Sequence, residues 1–275
     1  MGGSSSSALR RTLGGMTEAG WSNAERYEAY VGRWSSAVAR EFLPWLEVPP
    51  HSSWLDVGCG TGSLSSAILR MTEPARVLGV DPSPAFVEHA RDAIQGAEFA
   101  VGEAEHTGAL AEDFDAVVFG LVLNFVPDPG AALVEARRVL RGGGTIGAYV
   151  WDYAGEMWMM RHFWDVASDL FPSAATAQEG LRFEQWQPNP MEQLFHGAGL
   201  REVESRTIRV RTVFRDLDDY WLPFLGGQGP APTWLATLEP AEVERLRGAL
   251  AERLPIAEDG SIPLTARAWA VRGTG

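Results

Sequence analysis

The chain has 275 residues, a hydrophobic fraction of 45% and a formal net charge of −13. This content supports a sizeable core and excludes overall disorder. The acidity, with no stretch concentrating Lys or Arg, excludes broad nucleic-acid binding and opposes docking on anionic membranes.

Cys59 is the one cysteine, so no internal disulfide or cysteine-based metal site can form. The five histidines contain no i, i+4 pair, and no metal is expected. No apolar run reaches transmembrane length, and a cytoplasmic location is the expectation.

In chain order, "MGGSSSSALRRTLGGM" lacks the apolar stretch of a secretory signal. Residues 1–20 read as flexible, with Met16 a candidate natural first residue, and residues 21–275 as one domain. Ser22 or Asn23 opens a helical cap over 22–46, since Tyr27, Tyr30, Val31, Trp34, Val38 and Leu43 recur near helical spacing.

From Ser52 strands and helices alternate. "SWLDVG" is a strand, "SLSSAILRM" a helix, "ARVLGVD" a strand, and "SPAFVEHARDAI" a helix with Ser83 as cap and Pro84 at its first position. "AEFAVG" and the continuous apolar run "FDAVVFGLVL" are strands. "PGAALVEARRVLRGGG" is a helix closed by glycines, and "GTIGAYVWD" is a fifth strand. Beyond Asp152, "NPMEQLFHGAGL" is a helix, while "REVESRTIRVRTVF" and "SIPLTARAWAVRG" alternate as strands. This order means an α/β, doubly wound, Rossmann-like parallel sheet with its ligand site beyond the carboxyl ends of the strands.

Gly58, Gly60 and Gly62 in "WLDVGCGTGSL" form G-x-G-x-G. The third glycine of a dinucleotide fingerprint is replaced by Ser63. Asp81, ending the next strand, can accept from both hydroxyls of a ribose. Asp56 would oppose a pyrophosphate but suits a ligand carrying an ammonium and a sulfonium. A tight turn without a ligand is the plain alternative for the loop.

Together, "LDVGCGTGSLS", "VLGVDPSPAFVEHAR", "VGEAEH" and "FDAVVFGLVLNFVPDPGAALVEARRVLRGGGTIGAYVWD" resemble the successive motifs of class I S-adenosylmethionine-dependent methyltransferases. The likeness is greatest to the small-molecule branch that includes ubiquinone/menaquinone C-methyltransferase-like enzymes. It is strong over about residues 52–152 and weaker beyond.

The resemblance implies a seven-stranded sheet with the last strand antiparallel, N-terminal helices and a lid built from inserts at about 153–188 and 215–260. It implies S-adenosylmethionine as cofactor. Asp56, Gly58 and Gly60 would line its methionine part, Asp81 would hold the ribose, and Pro82 would pack near the adenine. Glu103, where the family more often has Asp, would accept from the adenine amino group beside Ala104. Leu121 and Asn124 would lie by the sulfonium. Tyr30 would pack against the pocket, and Arg33 would meet the methionine carboxylate or else form a surface salt bridge.

Methyl transfer needs alignment and a dry site, and a base only where the acceptor must lose a proton. His162 is the base candidate, against the plain reading of a solvated helix histidine. The segment 151–164 is rich in Trp, Met and Phe, and its adjacent apolar residues cannot share one helical stripe. Trp151, Tyr153 and Trp158, with Trp221 and Phe224 of "YWLPFLGGQGPAP", are therefore the acceptor-site candidates, for an apolar or aromatic small molecule. A homo-oligomer interface would use the same residues. The rival readings are a nicotinamide-dependent oxidoreductase and a non-methylating S-adenosylmethionine-binding protein.

Overall fold

The structure, a computed structural model, describes residues 32–178, 183, 186–226 and 229–275. Tyr30, the segment 1–20 and the first part of the expected helical cap lie outside the described residues.

Seven strands form one sheet: β1 (Ser53–Val57), β2 (Arg76–Asp81), β3 (Glu98–Val101), β4 (Phe114–Gly120), β5 (Leu140–Trp151), β6 (Arg201–Phe214) and β7 (Ile262–Thr274), in the order β3-β2-β1-β4-β5-β7-β6. The first five are parallel. β7 runs antiparallel to both its neighbours, as the resemblance implies. β1 and β4 are apolar because both of their faces are covered, and Trp54, Leu55, Val117 and Val118 are buried.

Helix α1 (Ser35–Trp45) lies on one face. A Cβ on Gly147 of β5 would come within 2.6 Å of Leu46 and 2.9 Å of Phe42, so the missing side chain is what lets this helical segment sit so close. The helices α2 (Ser63–Met71), α3 (Pro84–Ala93) and α4 (Pro129–Val139) follow β1, β2 and β4. Ser83 caps α3, accepting from the Phe86 amide at 3.4 Å, and Asp128 caps α4, accepting from the Ala131 amide at 2.9 Å.

Two expectations are corrected. The glycines at 142–144 do not close α4. That helix stops at Val139, and Gly142–Gly144 belong to β5, across a register irregularity between Phe114 and Ala116. β4 is shorter than its apolar run, because Leu121 turns into the left-handed region at φ 61°.

β6 and β7 pair from Arg201 opposite Thr274 to Phe214 opposite Ile262, whereas β5 covers β7 only from Thr274 to Ala268. Their far ends therefore run past the sheet as a two-stranded ribbon. Its inward residues Val210, Phe214, Leu264 and Ala266 support a lobe made of α5 (Trp158–Leu170), α7 (Leu217–Trp221), α8 (Pro230–Leu235) and α9 (Pro240–Arg253), while α6 (Pro188–Gly197) lies beside α4. The lobe has its own aromatic core. Phe163 stacks on Phe224 at 4.4 Å and 9°, Trp234 packs edge-on against Phe163, and the Tyr220 hydroxyl donates to the Met159 carbonyl at 2.7 Å.

On the opposite face of the ribbon Arg209 and Arg267 stand directly across from each other. The repulsion is resolved by Glu156, which binds both, and by buried Asp152, which accepts from Arg267 Nε at 2.7 Å. Asp152 also accepts from the amides of Gly155 and Glu156, at 3.0 and 3.1 Å, which fixes the turn leading into α5. Arg267→Ala would leave Asp152 charged and buried, so it should destabilise the protein by about 3 kcal/mol or more in chemical denaturation.

Candidate active site

All three glycines of the loop between β1 and α2 have positive φ: Gly58 at 69°, Gly60 at 55° and Gly62 at 88°. Two are also sterically required, since a Cβ on Gly58 would meet Val122 at 2.3 Å and one on Gly62 would meet Ile94 at 2.2 Å. Gly60 differs. A Cβ there would meet nothing within 4 Å, so its side opens onto empty space at the carboxyl end of β1.

Asp81 brackets that space. Its Oδ2 accepts from the Gly60 amide and its Oδ1 from the Ser83 amide, both at 2.9 Å. Each oxygen keeps a further lone pair. Burial raises the carboxyl above its ordinary range, and the two amide bonds work against that rise. Pro82 is exposed next to it.

Asp56 is 1% exposed and accepts from Ser65 Oγ at 2.6 Å and from the Ser65 amide. Ser65 lies in the first turn of α2, whose N-cap, Gly62, has no side chain to offer. Asp56 thus caps α2 from the preceding strand, where the helix dipole favours a negative charge. Burial pushes its carboxyl up to about 7, with a smaller push from Asp81 and against the Ser65 bonds. Cys59 is buried in the same loop, and burial with the two neighbouring carboxyls raises its thiol well above the usual range. Both effects disfavour the reactive thiolate.

The loop after β3 starts at Gly102, whose amide donates to the Asp81 carbonyl at 3.1 Å. Glu103 is exposed and Ala104 half-buried. The loop is tied down by a residue that sequence reasoning missed. Glu135 of α4 accepts from the Thr107 amide at 3.0 Å and the Thr107 hydroxyl at 2.7 Å, and pairs with Arg138 at 2.6 Å. These bonds, Arg138 foremost, hold its carboxyl down at about 2. An acidic residue on a helix gives no sequence signal of this role.

Leu121 is buried at the end of β4, and its amide donates to the Tyr149 carbonyl at 2.8 Å. Asn124 follows on a short 3₁₀ turn, Leu123–Phe125. Both polar atoms of its side chain are buried without a partner among the described residues.

Arg33 takes the salt-bridge alternative in this structure. It pairs with Asp219 of α7 at 2.9 Å and lies over the rings of Trp34 and Phe214, 4.5 Å from each centroid. That ties the residues before α1 to the lobe.

The apolar candidates separate. Phe224 and Trp221 are buried in the aromatic core of the lobe, and Trp151 is buried at the end of β5. All three are packed against neighbouring side chains in this structure. Trp158 is 40% exposed at the start of α5. Tyr153 packs at 5.1 Å on Phe183, which meets Phe125 at 5.4 Å, so this trio joins the ends of β5 and β4. His162 lies half-buried beside Trp158, 5.7 Å between centroids, and burial lowers its pKa. Its ring contact is with a residue one turn back along α5. Among the described residues no group of His, Cys, Asp or Glu could hold a metal ion, and no helix is long and apolar enough to cross a membrane.

Asp56→Asn tests the buried carboxylate. A carboxyl raised from 3.8 to about 7 on folding destabilises the native state as pH rises through that window. The variant should gain stability over the parent progressively from about pH 4 to pH 7, with a constant advantage above, as thermal melts of the ligand-free protein would record.

A model described as a methyltransferase domain matches residues 55–147. The chain is 34% identical over 156 residues to 2-methyl-6-phytyl-1,4-hydroquinone methyltransferase 2, chloroplastic, of Oryza sativa subsp. japonica, covering 56% of this chain and 40% of that one. It is 31% identical over 115 residues to demethylmenaquinone methyltransferase of Lactobacillus johnsonii, covering 39% and 47%. The chain spans half or less of the length of the first curated relatives it matches. In fold it is similar to the YcgJ protein of Bacillus subtilis, with a TM-score of 0.53 and 16% identity over 86% of this chain and 97% of that one. It is equally similar, with a TM-score of 0.53 and 14% identity over 86% and 51%, to phosphoethanolamine N-methyltransferase 2 of Haemonchus contortus in complex with S-adenosyl-L-methionine. The strand order, the glycine loop with its acidic bracket and this match agree: residues 55–147 of the chain match a methyltransferase domain.

Proposed function

We propose that the chain transfers a methyl group from S-adenosylmethionine to a small organic acceptor of apolar or aromatic character, as a cytoplasmic protein whose residues 21–275 work as one unit. The observation that carries this reading is the open side of Gly60, whose amide is held by the carboxylate of Asp81. The fit is chemical. Asp81 offers one free lone pair per oxygen for the two hydroxyls of a ribose. Gly60 leaves room for a ligand to approach the backbone, and Glu103 with Ala104 stand where the adenine edge would reach. Asp56 fills the amino end of α2 with its own carboxylate, the place a dinucleotide would need for its pyrophosphate. This favours an amino-acid end over a nicotinamide cofactor.

S-adenosylmethionine, when bound, supplies the electrophilic methyl group. The protein's part is to hold donor and acceptor in line and keep water out. Leu121 and Asn124, at the end of β4, stand beside the donor's reacting end. The lobe on the ribbon supplies the acceptor side. For an acceptor that must lose a proton, His162 is the base candidate, since burial favours its neutral imidazole. Arg33 keeps its partner Asp219 in the free protein, and a ligand carboxylate would compete for it.

Calorimetry should detect binding of S-adenosylmethionine and none of NAD. Asp81→Ala should weaken S-adenosylmethionine by roughly tenfold, the size of a charge-assisted contact. Tight NAD binding without S-adenosylmethionine binding would sink the proposal. A protein that binds S-adenosylmethionine but turns over no acceptor in a broad panel would support the non-methylating reading.

A further inference from the structure

The turn from Gly102 to Thr107 meets Asp81 at one end and α4 at the other. Its two ends touch, since a Cβ on Gly102 would lie 3.0 Å from the Thr107 carbonyl oxygen. Between them the His106 amide donates to the Glu103 carbonyl at 3.1 Å, which closes the turn. At the first end the Gly102 amide donates to the Asp81 carbonyl at 3.1 Å, and the Asp81 carboxylate holds the Gly60 amide. At the second end Glu135, 7% exposed, accepts from both the amide and the hydroxyl of buried Thr107 through one oxygen, Oε1. Its other oxygen accepts from Arg138 Nε at 2.6 Å, and Arg138 Nη2 donates onward to the Ala109 carbonyl at 2.7 Å. The start of α4 takes part as well, because the Asp128 amide donates to Glu105 at 3.2 Å. One helix therefore grips the turn from both of its own ends.

A buried carboxylate is a costly way to hold a loop, and apolar packing would hold it at less expense. What the bonds add is direction. They fix where the Thr107 amide and hydroxyl stand and, through the Gly102–Thr107 contact, where Glu103 and Ala104 stand. We infer that Glu135 is a positioning residue for the donor's base: acting through Thr107, it sets the turn on which Glu103 and Ala104 meet the adenine amino edge. The inference rests on the placement of the adenine at Glu103 and Ala104 given above. Glu135 makes no contact with the donor in this arrangement. Its loss should weaken a ligand that carries the amino group and spare one that lacks it, because only the first depends on the setting of the turn.

The test is calorimetric titration of the full chain with S-adenosylhomocysteine and with S-inosylhomocysteine, which has an oxygen in place of the adenine amino group. Each variant is measured at a temperature where circular dichroism shows it folded. The parent should bind the adenine ligand at least about tenfold more tightly than the inosine one. Glu135→Ala and Thr107→Val should each cut that preference to about threefold or less, mainly by weakening the adenine ligand. Thr107→Ser, which keeps the hydroxyl, should retain it. The double variant should be no worse than Glu135→Ala alone, as expected of two residues that act as one unit. Thr107→Val keeps the side chain's shape and decides the matter if Glu135→Ala does not fold. Retention of the whole preference in either folded variant overturns the inference, since that is what mere support of the fold predicts. A parent that binds both ligands equally also overturns it, and leaves methyl transfer standing. Failure of the parent to bind either ligand or S-adenosylmethionine overturns the methyltransferase reading itself.

Discussion

A carboxylate sunk at the end of β1 sets the geometry of the donor half. Asp56 reaches forward across the glycine loop to Ser65 and closes the first turn of α2. The three glycines between them can then take the left-handed turns that bring strand and helix so close. The loop's fit against Val122 and Ile94 follows from that closeness, as does the opening at Gly60. Asp81 ties to the same loop through the Gly60 amide. The bracket and the opening are thus one connected structure. A negative group already holds the helix terminus, so the site is unsuited to the anion that many glycine loops serve.

The loop after β3 is held with similar economy. Glu135 reaches from α4 to the loop after β3 through Thr107, and Arg138 keeps its charge fixed. The loops after β1 and β3 are therefore each anchored by a buried carboxylate on a neighbouring element. One is held at a high pKa by burial and the other at a low pKa by its partners. The contrast is local. Asp56 has only neutral donors, whereas Glu135 has a guanidinium.

Much of the donor half was legible in the sequence, because local chemistry dictates it. Ser83 before Pro84 marks a helix start wherever it occurs, and a glycine run between an apolar strand and a helix marks a tight turn. The limits of β4 and β5 were less legible. Leu121 takes a conformation that leucine rarely adopts, held there by its bond to the Tyr149 carbonyl, and no propensity announces that. The glycines at 142–144 look like a helix stop yet lie within a strand, since sheet pairing overrode the local signal. The acceptor half was legible only as composition. A Trp, Met and Phe surplus can line a cavity or fill a core, and only the packing of Phe163 on Phe224 separates the two. Phe125 and Phe183 escaped notice because they are single aromatics in unremarkable surroundings, brought together by the ends of two strands. Tyr30 and the helix expected around it lie outside the described residues.

The ribbon of β6 and β7 has a consequence for how such a molecule changes over generations. The lobe grows from the overhanging ends of two strands whose inner halves belong to the seven-stranded sheet. Its aromatic packing is largely internal, and it meets the rest through a few fixed points: the Asp152–Arg267 pair, the Arg33–Asp219 pair and the Phe183 bridge. Drift in the lobe can therefore reshape its surface without disturbing the glycine loop. A lineage built on this plan can diversify its chemistry by rewriting one half of the molecule and inheriting the other.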